Sequence, residues 1–202
     1  MSLDRHLVLV RHGRTAWNAD GRFQGQADPP LDAYGWEQAA RTAAALAALW
    51  PRPAAIVSSD LRRAHQTAVV IGAACGLVPA TDPDLREVAL GAWEGLGRAE
   101  AAQRFPAEYA AWTAGADVRR GGGETQAEAG ARVAAALVRC LWRTRGDGPV
   151  VAVAHGLALQ GAIGRLAAGG LVAGGNGGPP PHLGNGEWIV LAVRRAAQGY
   201  AA

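Results

Sequence analysis

Four apolar runs punctuate the chain, at 7–11, 54–58, 149–154 and 187–193. Each is short and rich in Val, Ile, Leu or Ala, as expected of strands buried on both faces of a parallel sheet. Between them lie Ala-rich stretches of helical length and period, at 33–49, 60–75, 124–144 and 157–168. Thr125 followed by Glu128 predicts a capping box at the start of the third. Strands alternating with helices predict one three-layer α/β domain over 1–202, with a mostly parallel central sheet and helices on both faces. The segment 169–186, GGLVAGGNGGPPPHLGNG, breaks the pattern, because Gly and Pro sustain neither helix nor strand there. It is too long for a simple connection and is either a mobile rim of a site or a disordered surface loop, with its place after the 157–168 helix favouring the rim.

Ligands of such sheets gather beyond the carboxyl ends of the strands, and three of the predicted strands end in chemistry. The first runs into Arg11, His12, Gly13 and Arg14, with no acidic residue between Asp4 and Asp20 to neutralise them. The second leads to Arg62 and Arg63 in the first turn of a helix, and the third ends in His155 and Gly156. A helix starting after His155 would aim free N–H groups and the positive end of its dipole at the same crevice. Two imidazoles, at least two guanidinium groups and a helix amino terminus favour an anion, and together they suggest phosphate.

Composition narrows the alternatives. The 202 residues carry a net charge of +3, and all 20 basic residues are Arg. Arg suits planar recognition of phosphate or carboxylate, although its abundance with Ala and Gly equally fits a GC-rich genome. The cations are scattered in pairs with no run, so a nucleic-acid partner is not expected. Cys75 and Cys140 lack metal or redox spacing and read as reduced, buried thiols. No signal peptide or membrane-length span is visible, and a soluble, cytoplasmic protein without a membrane partner is expected.

Imidazole can attack phosphorus directly and divide hydrolysis into two displacements. The attacking nitrogen must be unprotonated, which neighbouring guanidinium groups favour by repulsion. The same groups stabilise charge on the transferring phosphoryl oxygens. The leaving oxygen needs a proton, and DLREVALGAWEGL (84–96) offers Glu87, between a predicted strand end and a Gly-Ala-Trp turn, with Glu94 as a second candidate.

LVLVRHGRTAWN resembles the RHG signature of the histidine phosphatase superfamily, in its phosphoglycerate-mutase-like branch. FQGQADPPLDAYGWEQA is similar to the segment after that signature, and IVSSDLRRAHQTA to the family's arginine helix. LREVALGAWEGL is similar to its glutamate segment, GGGETQAEAGAR to its Gly-Gly-Glu helix start, and VVAVAHG to its second histidine. The RHG signature and five further ordered motifs, spread over nearly the whole chain, carry this resemblance. It implies a phosphoglycerate-mutase-like fold, with His12 as the phosphorylated nucleophile. Arg11, Arg62 and His155 are then the phosphate clamp, and Glu87 the general acid that later activates water. Asn18 and Gln24 contact phosphate or substrate, and the amides of Gly156 or Leu157 add donors. The resemblance implies no metal and no cofactor, and a homodimer is compatible with it alone.

The activity implied is hydrolysis of a small phosphomonoester through a phosphohistidine. FQGQ, IVSSDLRRAHQTA and LGNGEW are similar to the glucosyl-3-phosphoglycerate phosphatase type, which suggests a sugar or glycerate phosphate as substrate. A phosphoglycerate mutase is the alternative, and a non-catalytic module binding phosphorylated ligands a more distant one, since His12 and Glu87 are both retained. Arg14, where many members carry Glu, would make the mouth of the pocket more basic and favour a second anionic group on the substrate. His6, His65 and His182 read as structural or surface residues, and Arg63 as a solvated cation. Glu87 could instead pair with Arg86 or Arg62. The tryptophans read first as packing, with Trp93 and Trp112 also able to face the substrate.

Overall fold

The computed structural model describes residues 4–172 and 180–194. The chain opens with β1 (Arg5–Arg11), α1 (Ala16–Ala19) and α2 (Ala33–Leu49), then β2 (Ala55–Ser58), α3 (Arg62–Cys75) and β3 (Ala80–Thr81). After α4 (Arg98–Arg104) and α5 (Pro106–Thr113) come α6 (Gln126–Arg143), β4 (Val150–Ala154), α7 (Gly156–Ala168) and β5 (Trp188–Val193). The strand order is β3-β2-β4-β1-β5; the first four are mutually parallel and β5 runs antiparallel to β1.

The period of two along β1 and β4 explains the layers. Leu7, Leu9, Val150, Ala152 and Ala154 join Val133, Leu137, Leu159 and Leu166 of α6 and α7 in one core. Val8, Val10, Val151 and Val153 join Ala43, Leu46, Ala64, Ala68 and Ile71 of α2 and α3 in the other. A strand covered on both faces has no solvent side, which is why its sequence reads as an unbroken apolar run. The Thr125–Glu128 capping box is present, and α3 ends at Gly76, whose φ of 68° suits a residue without Cβ.

Residues 76–123 hold more structure than their pattern predicts. Pro83–Leu85 is a short 3-10 turn, so Glu87 follows a turn, where a strand end was expected. α4 and α5 are one to two turns long and carry a separate core, in which Trp93 packs against Phe23, Phe105, Tyr109 and Trp112. Trp93 is fully buried in that cluster. Cys75 is buried and Cys140 half-buried, both as free thiols. Of the 169–186 segment, residues 173–179 lie outside the described residues; Val172 bridges to Val193, and 180–186 runs along the strand ends. Among the described residues, no helix is long and apolar enough to cross a membrane.

Candidate active site

Register brings the two histidines together. Arg11 of β1 is paired with Ala154 of β4, so the next residue of each strand, His12 and His155, leaves the sheet at the same level. Their ring centroids are 5.1 Å apart. Gly13 allows the turn: a Cβ there would sit 2.4 Å from the Gly35 carbonyl oxygen, so any side chain would force β1 and α2 apart.

The hydrogen bonds of His12 fix its tautomer. Nδ1 lies 2.7 Å from the Gly13 carbonyl, which can only accept, so Nδ1 carries the proton. Nε2 accepts from Arg63 Nε at 3.3 Å and is therefore unprotonated, its lone pair held by a long hydrogen bond that an attack on phosphorus would replace. Burial, then the charges of Arg63 and Arg11, push the His12 pKa well below the usual imidazole value. His155 is pushed down in the same way, by burial first and then by Arg63, His12, Arg11 and Arg132. Both ring nitrogens of His155, and Nε of Arg11, are buried without a hydrogen-bond partner. Buried donors are rarely left so; a neutral imidazole has one N–H, and an oxyanion beside it would accept from that N–H and from Arg11 Nε.

Arg11 is tethered through Nη1 to the Leu183 carbonyl at 2.7 Å. The 183–187 segment adds further ties: Asn185 Nδ2 donates to the His12 carbonyl, Gly186 N–H to the Arg11 and His12 carbonyls, and Arg11 N–H to Glu187 O. Gly156 lets the Arg11 guanidinium lie close, since a Cβ there would be 3.3 Å from its central carbon.

The arginine of α3 that faces this centre is Arg63, and Arg62 is exposed. Among the described residues, only the main-chain N–H of Arg62 is engaged, donating to Asp28. Arg63 is fully buried; it donates to Ala27 and Gly25 carbonyls at 2.7 and 2.8 Å and reaches His12 with Nε. Its own pKa is lowered to about 10, chiefly by burial. The helical period explains the correction: Ala64, Ala68 and Ile71 mark the buried stripe, and Arg62 sits roughly 160° away from it at 100° per residue.

Glu87 is half-buried in the same cleft. Its Oε1 accepts from Val88 and Ala158 N–H at 3.0 and 2.8 Å, and Oε2 from Leu157 N–H at 3.3 Å. The expected gift of the Leu157 amide to phosphate is thus corrected, because the carboxylate already occupies the first turn of α7. Arg86 pairs with Asp60, not Glu87. The loop holding Glu87 is clasped from behind: Arg132 donates to the carbonyls of Asp84, Arg86 and Glu87 and pairs with Glu124, which accepts from Ala89 N–H. This is the physical content of the Gly-Gly-Glu segment. Glu94 serves structure, accepting from Gln26 and Leu90 N–H.

Arg11, His12, Arg63 and Glu87 line one cleft of about 150 Å³, together with Asn18, Gln24, Arg22, Phe23, Gly25, Leu90, Gly156, Leu157 and His182. Gln24 is held by Thr15, and Asn18 bonds Thr15 and Asn185. His182, expected to be a bland surface residue, stands at the mouth, because 180–186 folds over the strand ends. Arg22 also lines it, with no signal in the sequence beyond charge. Arg14 does not line the cleft: it pairs with Asp32 at 2.8 Å and lies over the Tyr34 ring, so its charge is already matched. His65 sits beside Ser58, away from the cleft.

Burying two neutral imidazoles has a measurable consequence. In an unfolded chain they titrate near about 6.5, whereas the folded values lie lower. Below about pH 6.5 the unfolded state therefore binds more protons, and stability falls as pH drops. Thermal melts from pH 7.5 to 5 are expected to show a decreasing Tm. A flat or rising Tm in that window would contradict the neutral pair.

A parallel sheet whose strand ends carry an unprotonated imidazole inside a cage of guanidinium groups, with a carboxylate alongside, defines a phosphoryl-transfer enzyme of the phosphohistidine kind. The family model described as histidine phosphatase superfamily (branch 1) matches residues 7–196, and the chain belongs to that superfamily. It is 39% identical over 198 residues to the glucosyl-3-phosphoglycerate phosphatase of Mycobacterium tuberculosis, covering 93% of this chain and 85% of that one. It is also 39% identical over 160 residues to the probable phosphoglycerate mutase GpmB of Yersinia enterocolitica, covering 76% and 70%. The solved structure of mycobacterial glucosyl-3-phosphoglycerate phosphatase in complex with VO3 superposes with a TM-score of 0.78 at 37% identity, over 94% of this chain and 98% of that one.

Proposed function

We propose that this enzyme hydrolyses a small phosphomonoester through a phosphohistidine at His12. The observation carrying the reading is the lone pair of His12 Nε2, held neutral by burial between Arg11, Arg63 and His155. Nε2 attacks phosphorus and the ester P–O bond breaks, while the three cationic or donor groups take up the negative charge of the equatorial oxygens. Glu87 delivers a proton to the leaving oxygen. It then takes one from water, whose oxygen displaces phosphate from His12 and restores the imidazole. Asn18 and Gln24 orient the ester at the rim.

The substrate proposed is glucosyl-3-phosphoglycerate or a related glycerate or sugar phosphate, on the strength of relatives that match over most of both chains. The mutase reading rests on a shorter match. Incubation with 3-phosphoglycerate separates the two: free phosphate supports hydrolysis, and 2-phosphoglycerate supports the mutase. Cytoplasmic residence and a homodimer belong to the same proposal, and are tested by cell fractionation and by light scattering on the purified protein.

The proton carrier is tested by leaving group. Glu87→Gln keeps an acceptor for the α7 amides but cannot donate as an acid. It is expected to lower kcat for an alkyl phosphate by about 10²–10⁴-fold. The loss should be much smaller for p-nitrophenyl phosphate, whose leaving group needs no proton. Equal losses on both substrates would remove Glu87 from that role.

A further inference from the structure

Beside the catalytic cleft is a second cavity, of about 160 Å³, lined by Trp112, Asp117, Val118, Arg120, Gln126 and the 115–116 backbone. Arg120 is 3% exposed. Among the described residues its guanidinium has no hydrogen-bond acceptor and no ion-pair partner, only the Trp112 ring at 5.8 Å. The nearby acids are committed elsewhere. Asp117 accepts from Gln126 and Ala127 N–H, and Glu108 from Gly121 N–H. Burying a cation is costly unless it is paired and hydrogen-bonded; burial lowers the Arg120 pKa, and the opposing charges of Glu87 and Asp117 act on it without bonding it.

The cavity adjoins the cleft. Gly121, with φ of 57°, is pressed against the Leu90 carbonyl so closely that a Cβ would lie 2.6 Å from it, and Leu90 lines the cleft. Phe23 of the cleft meets Trp112 of the cavity edge-on at 5.4 Å. Arg120 also feels the charge of Glu87 more strongly than that of Asp117.

We propose that Arg120 is the specificity residue for a second anionic group on the substrate, a carboxylate, bound in this cavity while the phosphate occupies the His12 centre. The inference rests on the phosphatase reading and adds to it the residue that selects among phosphomonoesters. It also moves the second-anion role from Arg14, which is already paired, to a cation that is not.

The test uses the full-length enzyme and two matched pairs of substrates at different spacings: 3-phosphoglycerate against glycerol 3-phosphate, and 6-phosphogluconate against sorbitol 6-phosphate. The wild type is expected to favour the carboxylate member of at least one pair by about tenfold or more in kcat/KM. Arg120→Gln should bring that preference to within about twofold of unity, mainly through KM, as expected for loss of a charge-assisted pair. Arg120→Lys should retain part of it. No preference in either pair, or a preference unchanged in Arg120→Gln, overturns the proposal. If Arg120→Gln fails to fold, as judged by its melt, the wild-type ratios and Arg120→Lys still decide. Release of phosphate from none of the four esters would instead overturn the phosphatase reading itself.

Discussion

Replacing His12 with alanine is expected to stop phosphate release, with a loss of about 10⁴-fold or more, because it removes the bond-forming atom and not merely a contact. The covalent intermediate should vanish with it. In wild-type enzyme quenched without acid during turnover, mass spectrometry of the peptide spanning His12 should record an added phosphoryl group; in His12→Ala the peptide stays unmodified. His155→Ala should retain a detectable phosphorylated His12, since His155 stabilises charge and does not form the bond. Turnover surviving in His12→Ala would require another nucleophile.

The second large effect separates neighbours. Arg63→Ala is expected to lower kcat/KM by about 10²–10³-fold, as for loss of one preorganised donor at a developing charge, whereas Arg62→Ala should stay within about twofold. Arg63→Lys should recover little, because one ammonium cannot span Ala27, Gly25 and His12 together. The pH profile provides a readout apart from magnitude. Arg63 helps hold the His12 pKa down, so its removal should raise that pKa and move the acid limb of kcat/KM toward higher pH. If instead Arg62→Ala is the crippled variant, the assignment is reversed.

That pair of arginines also marks how far the sequence is legible. Four of the five strands, the four long helices and the convergence of both histidines follow from apolar runs and the rule about strand ends, because β1 and β4 are covered on both faces; β3, only Ala80–Thr81, is too short to show a pattern. Arg62 against Arg63 was decidable too, from the phase of Ala64, Ala68 and Ile71, but a motif marks two adjacent letters without saying which one faces inward. The region 76–123 was legible only in its glutamate. α4 and α5 are too short to display a period, and their order comes from the Trp93 cluster, whose partners are scattered from Phe23 to Trp112. His182 and Arg120 carry no local signal, since each gains its position from long-range folding of an irregular segment.

The ties between Arg11 and Leu183 join residues 172 positions apart. A chain emerging from the ribosome therefore displays its RHG letters long before it owns a working centre. The ties that hold nucleophile and clamp form only when the 183–187 segment closes onto the end of β1, a pairing of high sequence separation. A fragment ending before Leu183 lacks the carbonyl that anchors the Arg11 guanidinium, although it carries every letter of the RHG motif.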